Sequence, residues 1–130
     1  MVMDGQGGGV GRSLVEELVG RLPQAEIIAV GTNATATSNM MKGGTANGAT
    51  GENAVIYNSS RVDVIVGPIG IVMANAMLGE ITPKMSEAVS SGEAKLILLP
   101  MNKCHVTVVG MAQKKLSEYV KEAVDRIAEM

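Results

Sequence analysis

Along the chain, short unbroken apolar runs alternate with segments whose apolar residues recur every three or four positions. The first kind predicts strands buried on both faces of a sheet, and the second predicts helices packed on it by one stripe. Met1-Val2-Met3 opens the chain as a strand and runs straight into Gly5-Gln6-Gly7-Gly8-Gly9-Val10-Gly11. From Arg12 onward, Leu14, Val15, Leu18, Val19 and Leu22 share one helical face, and Pro23 stops that helix. Ala25 to Val30 predicts a second strand, and Val62 to Val66, closed by Gly67-Pro68, a later one. Ile71 to Leu78 and Pro83 to Ser91 predict two helical pieces joined at Gly79, with Thr82 capping the second and Gly92 ending it.

Lys95 to Leu99 and Cys104 to Val109 both predict strands. The few residues between them are too short for a parallel crossover, so as neighbours they must be antiparallel. The tail from Gln113 to Met130 carries Leu116, Tyr119, Val120, Ala123, Val124 and Ile127 on one stripe, with Glu122 and Arg126 placed to pair on the wet side. That is a docking helix. The stretch from Gly31 to Ser60 is different: only Lys42 and Glu52 are charged, and five asparagines stand among Thr, Ala and Gly. Thr37 to Lys42 predicts a short helix ended by Gly43-Gly44, while Glu52 to Ser59 suits either a helix or a strand. The expectation is an α/β fold: one three-layer Rossmann-like domain over residues 1–130, with a mainly parallel sheet of about five strands and an antiparallel strand near the C-terminus.

Composition narrows the functions. Phe and Trp are absent and only Tyr57 and Tyr119 are aromatic, so the core is aliphatic and Met-filled and no base-stacking platform exists. A net charge of −2 gives no footprint for a phosphate backbone, and nucleic acid is not expected as a partner. The one cysteine, Cys104, excludes an internal disulfide and fits a reducing compartment. Val64 to Leu78, the longest apolar reach, is broken by Gly67, Pro68, Gly70 and Asn75, so no membrane span is expected. With no basic leader the expectation is a cytoplasmic protein.

The glycine run carries the candidate chemistry. A strand that turns through glycines directly into a helix aims the helix's unpaired N–H groups and positive dipole end at whatever lies in front. Glycines permit positive φ and let a phosphate approach the backbone closely. Five glycines within seven positions exceed what a tight turn alone requires. The spacing is G-x-x-x-G-x-G through Gly5, Gly9 and Gly11, not G-x-G-x-x-G, because Val10 holds the sixth position. The expected cofactor-binding set is Asp4, Gly5, Gln6, Gly7, Gly8, Gly9, Val10, Gly11, Thr32, Asn33, Gly67, Pro68 and Asn102, around a nucleotide at the strand ends.

The segment from Val2 to Arg12 resembles the cofactor fingerprint of the short-chain dehydrogenase/reductase family, in which this motif cradles the NAD(P) pyrophosphate. Asp63 to Val66 followed by Gly67-Pro68-Ile69-Gly70-Ile71 is similar to that family's fourth strand and the turn after it. The resemblance implies an NAD(P)-like ligand. The family's Tyr-x-x-x-Lys pair is missing, since Arg61 follows Tyr57 by four and Ala123 follows Tyr119 by four, so reductase chemistry is not implied. Gly31-Thr32-Asn33 stands where an acid grips an adenosine ribose. A second resemblance, carried by Gly43 to Gly51, is to tubulin/FtsZ-like mononucleotide binders. The chain as a whole resembles a short bacterial family without assigned function, with an Asp-Gly-Gln-Gly-Gly-Gly start and an Asn-Lys-Cys turn. No Gly-Lys dipeptide occurs, which excludes a Walker A loop.

Asp4, Lys42, Glu52, Lys103 and His105 are the titratable residues in the loops expected around the crevice. Asp4 leads, either coordinating Mg²⁺ beside a phosphate or locking the loop by accepting backbone N–H bonds. Cys104 and His105, as neighbours on a strand, point to opposite faces and read as a small buried hydrophobe and a hydrogen-bonded strand residue. Met73, Met77 and Met85 read as core filler or as an adaptable subunit interface, and a homo-oligomer is expected. The competing reading is a non-enzymatic oligomeric module in which the glycine run only makes a turn.

Overall fold

The computed structural model describes residues 1–101 and 105–130. Five parallel strands form one sheet in the order β3-β2-β1-β4-β5. They are β1 (Val2–Asp4), β2 (Ala29–Gly31), β3 (Gly48–Thr50), β4 (Val64–Pro68) and β5 (Lys95–Leu99). The helices are α1 (Gly9–Arg21), α2 (Ala34–Met41), α3 (Glu52–Ser59), α4 (Pro83–Ser90) and α5 (Leu116–Ala128), with a 3₁₀ turn at Ile69–Val72. This is an α/β fold with helices on both faces of the sheet, consistent with a Rossmann-like three-layer arrangement.

Successive residues of a strand point to opposite faces, and the two cores follow that alternation. Val2, Ala29, Val66 and Leu99 pack with Leu14, Val15 and Leu18 of α1, Ala36 and Met40 of α2, and Val120, Ala123 and Val124 of α5. Met3, Val30 and Ile65 pack on the other side with Val55, Ile71, Ile81, Met85 and Val89. Burying a Leu or Val of this kind stabilises by roughly 1.5–3 kcal/mol, so the α1 stripe alone accounts for its docking. Helix α1 ends where expected, the Leu22 N–H reaching the Leu18 carbonyl at 2.7 Å before Pro23. Thr82 caps α4 by accepting the Met85 N–H at 3.2 Å.

Register places the rim of the sheet. Asp4 lies beside Gly31 across β1 and β2, and Pro68 beside Leu99 across β4 and β5. Connections leave β1 toward β2 on one side and reach β4 on the other, so the strand order reverses between β1 and β4. In open parallel sheets ligands bind beyond the strand ends at such a reversal.

Three sequence expectations are corrected. The antiparallel strand is not formed: β5 pairs with β4 in parallel, and residues 105–109 make no ladder, Cys104 lying outside the described residues. Val108 and Val109 both line an open cavity against α5, and Val109 is 94% exposed. The helix over Ile71 to Leu78 is replaced by the 3₁₀ turn and a run of turns to Glu80, with Asn75, Met77 and Leu78 at positive φ. Glu122 pairs with Lys114 at 3.2 Å rather than with Arg126. Strand β3 is additional, and Glu52 to Ser59 is helical.

Candidate functional site

The turn from β1 to α1 is built on three glycines that packing or backbone geometry demands. Gly8 sits at φ 73 as the residue before α1, and a Cβ there would lie 2.6 Å from the Ala36 carbonyl oxygen. At Gly5 a Cβ would lie 2.7 Å from both Met77 Sδ and Thr32 Oγ1. Gly11, in the first turn of α1, lets that helix close on Met40 and on Asp4, whose Cβ would be 2.9 Å away. The Gly8 N–H closes the turn onto the Gly5 carbonyl at 2.9 Å.

Gly7 and Gly9 are different. A Cβ at either would meet nothing within 4 Å, and neither has positive φ. Both are exposed, with Val10 half-buried beside them. The N–H groups of Gly7, Gly9 and Val10 find no acceptor among the described residues. Gly9 and Val10 are the first two residues of α1, where backbone donors are left over by the helical pattern.

Asp4 turns inward. Its side chain is 2% exposed, Oδ1 accepting the Gly5 N–H and Oδ2 the Gly11 N–H, both at 2.8 Å. Burial pushes its carboxyl above the ordinary range; the Gly11 and Gly5 amides pull it partly back, and the charge of Glu80 adds to the rise. With each oxygen held by a backbone amide, Asp4 locks the loop. Among the described residues no three Asp, Glu, His or Cys side chains cluster as a metal site.

Glu80, which belongs to no sequence motif, completes the arrangement. Its Oε1 accepts from the Gln6 N–H at 2.8 Å, the Thr32 hydroxyl at 2.6 Å and the Asn33 Nδ2 at 2.8 Å. Burial would raise its carboxyl, but these three donors outweigh it and hold the group below the ordinary range. Asn33 also caps α2, accepting the Ala36 N–H at 2.8 Å, and donates to the Gln6 carbonyl at 3.0 Å. On the other flank Asn39 Nδ2 donates to the Gly7 carbonyl at 3.0 Å, and Arg12 donates to Asn39 at 2.9 Å and to Glu16 at 3.0 Å. An acid thus stands beside Thr32 and Asn33 after all, delivered from beyond β4 rather than from β2. The excess of asparagines after Gly31 was the available signal for Asn33 and Asn39; nothing local marks Glu80.

The remaining expected positions scatter. Gly67 and Pro68 lie within β4, and Gly67 is required by close packing, since a Cβ there would meet the Met3 carbonyl oxygen. Asn102 and Lys103 lie outside the described residues, and His105 is an exposed turn residue. Lys42 follows the far end of α2, nine residues or about 13.5 Å of helical rise from Asn33. Glu52 opens α3 beyond the edge strand β3, two strand spacings or about 10 Å from β1. Gly43 to Gly51 forms the turns after α2 and β3 itself. Met77 and Met85 are core residues and Met73 packs against the same core. A cavity of about 490 Å³ opens between β5, α5 and residues 108–112, and the glycine loop does not line it.

No helix of the described residues is long and apolar enough to cross a membrane. No curated protein and no solved structure matches the chain. A family model does match, over residues 1–130, and by that match the chain belongs to the family described as a domain of unknown function, DUF3842.

Proposed function

We propose that this chain binds a nucleotide at the strand ends between β1 and β4, with an NAD(P)-like dinucleotide favoured over a mononucleotide by the likeness of Val2 to Arg12 to the short-chain dehydrogenase/reductase fingerprint. The observation that carries the reading is the openness of Gly7 and Gly9. Three of the loop's glycines are explained by the fold, and these two are not, since neither packing nor φ requires them. Smallness at an exposed position, beside three unpaired N–H groups at the start of a 13-residue helix, suits close approach of an anionic phosphate. Asp4 contributes by fixing the loop rather than by holding Mg²⁺, because its carboxylate is buried and turned inward onto the Gly5 and Gly11 amides.

A melting panel with NAD, NADP, ATP and GTP tests this. A ligand at a hundred times its Kd stabilises the native state by about 2.7 kcal/mol, which is several degrees of Tm for a chain of this size. Gly9→Val is the control, because its side chain projects into open space: the unliganded Tm should hold while the ligand-induced rise disappears. Absence of any rise in the wild-type protein, or an equal rise in Gly9→Val, would count against the site.

A further inference from the structure

All four non-glycine residues with left-handed backbone among the described residues lie in two segments that touch each other. Gln6, at φ 50, lies in the glycine loop; Asn75, Met77 and Leu78, at φ 66, 58 and 57, lie in the segment packed on it, followed by Gly79 at φ 91. Such backbone is unfavourable for residues with a Cβ and persists only where surrounding contacts impose it. Beside the segment's own backbone bonds, such as Asn75 N–H to the Ile81 carbonyl at 2.7 Å, two contacts with the loop do so here. Met77 is buried with its sulfur toward Gly5, and Glu80 places one oxygen on Gln6, Thr32 and Asn33. Between these anchors Leu78 is 100% exposed.

The three donors on Glu80 come from the glycine loop, the end of β2 and the cap of α2, and they converge on a single oxygen. That is a cradle for an anion, and Glu80 is the anion the chain itself supplies. It adjoins the open amides of Gly7, Gly9 and Val10 along the same loop. A phosphate entering the cradle as Glu80 leaves exchanges one negative group for another, so the repulsion felt by Asp4 is not newly created. Departure of Glu80 also removes one of the two anchors that tie residues 75–79 to the loop.

We propose that residues 75–80 are a latch: Glu80 occupies an anion subsite formed by the Gln6 N–H, the Thr32 hydroxyl and the Asn33 amide, and a phosphate monoester of the ligand displaces it. Resting on the nucleotide-binding reading, this names the ligand class as a dinucleotide with a phosphate monoester besides its pyrophosphate, so NADP is preferred to NAD.

The test compares wild type, Glu80→Gln and Glu80→Ala for NAD, NADP and inorganic pyrophosphate, with hydrogen exchange reporting the latch. Removing the competing carboxylate should tighten NADP by about tenfold, the scale of one charge-assisted hydrogen bond, and leave NAD nearly unchanged. Amides of residues 75–80 and of Gln6 should lose protection in Glu80→Ala, and those of 75–80 also in wild type saturated with NADP. Weaker NADP binding in both variants would mean that Glu80 grips the ligand, and would overturn the latch while leaving nucleotide binding intact; so would equal changes for NAD and NADP. If no nucleotide binds any form, the nucleotide reading fails, and pyrophosphate then decides the latch. A Tm rise confined to the Glu80 variants upholds the subsite, and no rise overturns it.

Discussion

The glycine loop and the latch that lies on it reach equally unusual backbone shapes by opposite means. In the loop, the tightest position is held by Gly8, which adopts φ 73 at no steric cost. In the latch, Asn75, Met77 and Leu78 carry side chains through the same region of backbone space and are kept there by Met77 packing and by Glu80. Apart from Gln6, held at φ 50 under Glu80, the loop's conformation is intrinsic to its residues, and that of the latch is imposed from outside. The loop should therefore persist as a rigid rim, while the latch is the part able to change.

Gly8→Val should break the intrinsic half most severely. It adds a branched side chain at positive φ against the backbone of Ala36, and we expect a loss of about 3 kcal/mol or more in urea unfolding. Asp4→Asn comes next. The new amide N–H₂ must face one of two backbone donors, so a buried N–H is left unpaired and stability should fall by about 1–3 kcal/mol near neutral pH.

The pH dependence of these variants separates the two carboxylates. Asp4 has a folded-state pKa above its unfolded value, so its burial costs stability at neutral pH and that cost fades as pH falls through the raised folded pKa. The advantage of wild type over Asp4→Asn should therefore widen on acidification. Glu80 is shifted the other way: its contribution is present above the unfolded pKa and is lost as pH falls through the depressed folded pKa. The advantage of wild type over Glu80→Gln should shrink below the ordinary carboxylate range. Urea titrations across this range check both slopes.

Smaller effects probe the imposed half and the open rim. Leu78→Gly removes an exposed side chain from a left-handed position, and it should raise stability by about 0.5–1 kcal/mol after the added freedom of the unfolded chain is counted. Gly7→Ala and Gly9→Ala, with no neighbour within 4 Å, should stay within about 0.5 kcal/mol of wild type. A large loss at either would mean that the fold itself needs those glycines.

The same contrast explains what could be read from the sequence. Leu14, Val15 and Leu18 mark α1 by spacing alone, Thr82 marks the start of α4, and the apolar runs of β4 and β5 mark buried strands, because local pattern and tertiary role agree there. Gly48-Ala49-Thr50 offers no apolar signal, yet it forms β3 because β2 presents an unpaired edge to it. Ile71 to Leu78 has helical spacing that tertiary contacts override, so both the latch and Glu80 stayed hidden; the acid's partners lie 47 to 74 residues away. At the site, the inward lock by Asp4 was one of two stated roles. The division of the glycines into three that the fold needs and two that it does not required knowing what each Cβ would meet.

A nitrogen–proton correlation titration of the wild-type protein with NADP tests nucleotide binding at the open rim most directly, because glycine amides are the atoms proposed to touch phosphate. The account predicts saturable shifts that are largest at Gly7, Gly9 and Val10, with smaller ones through Gln6 and residues 75–80. Shifts gathered instead around the cavity between β5 and α5, or no saturable shift at any amide, would contradict it.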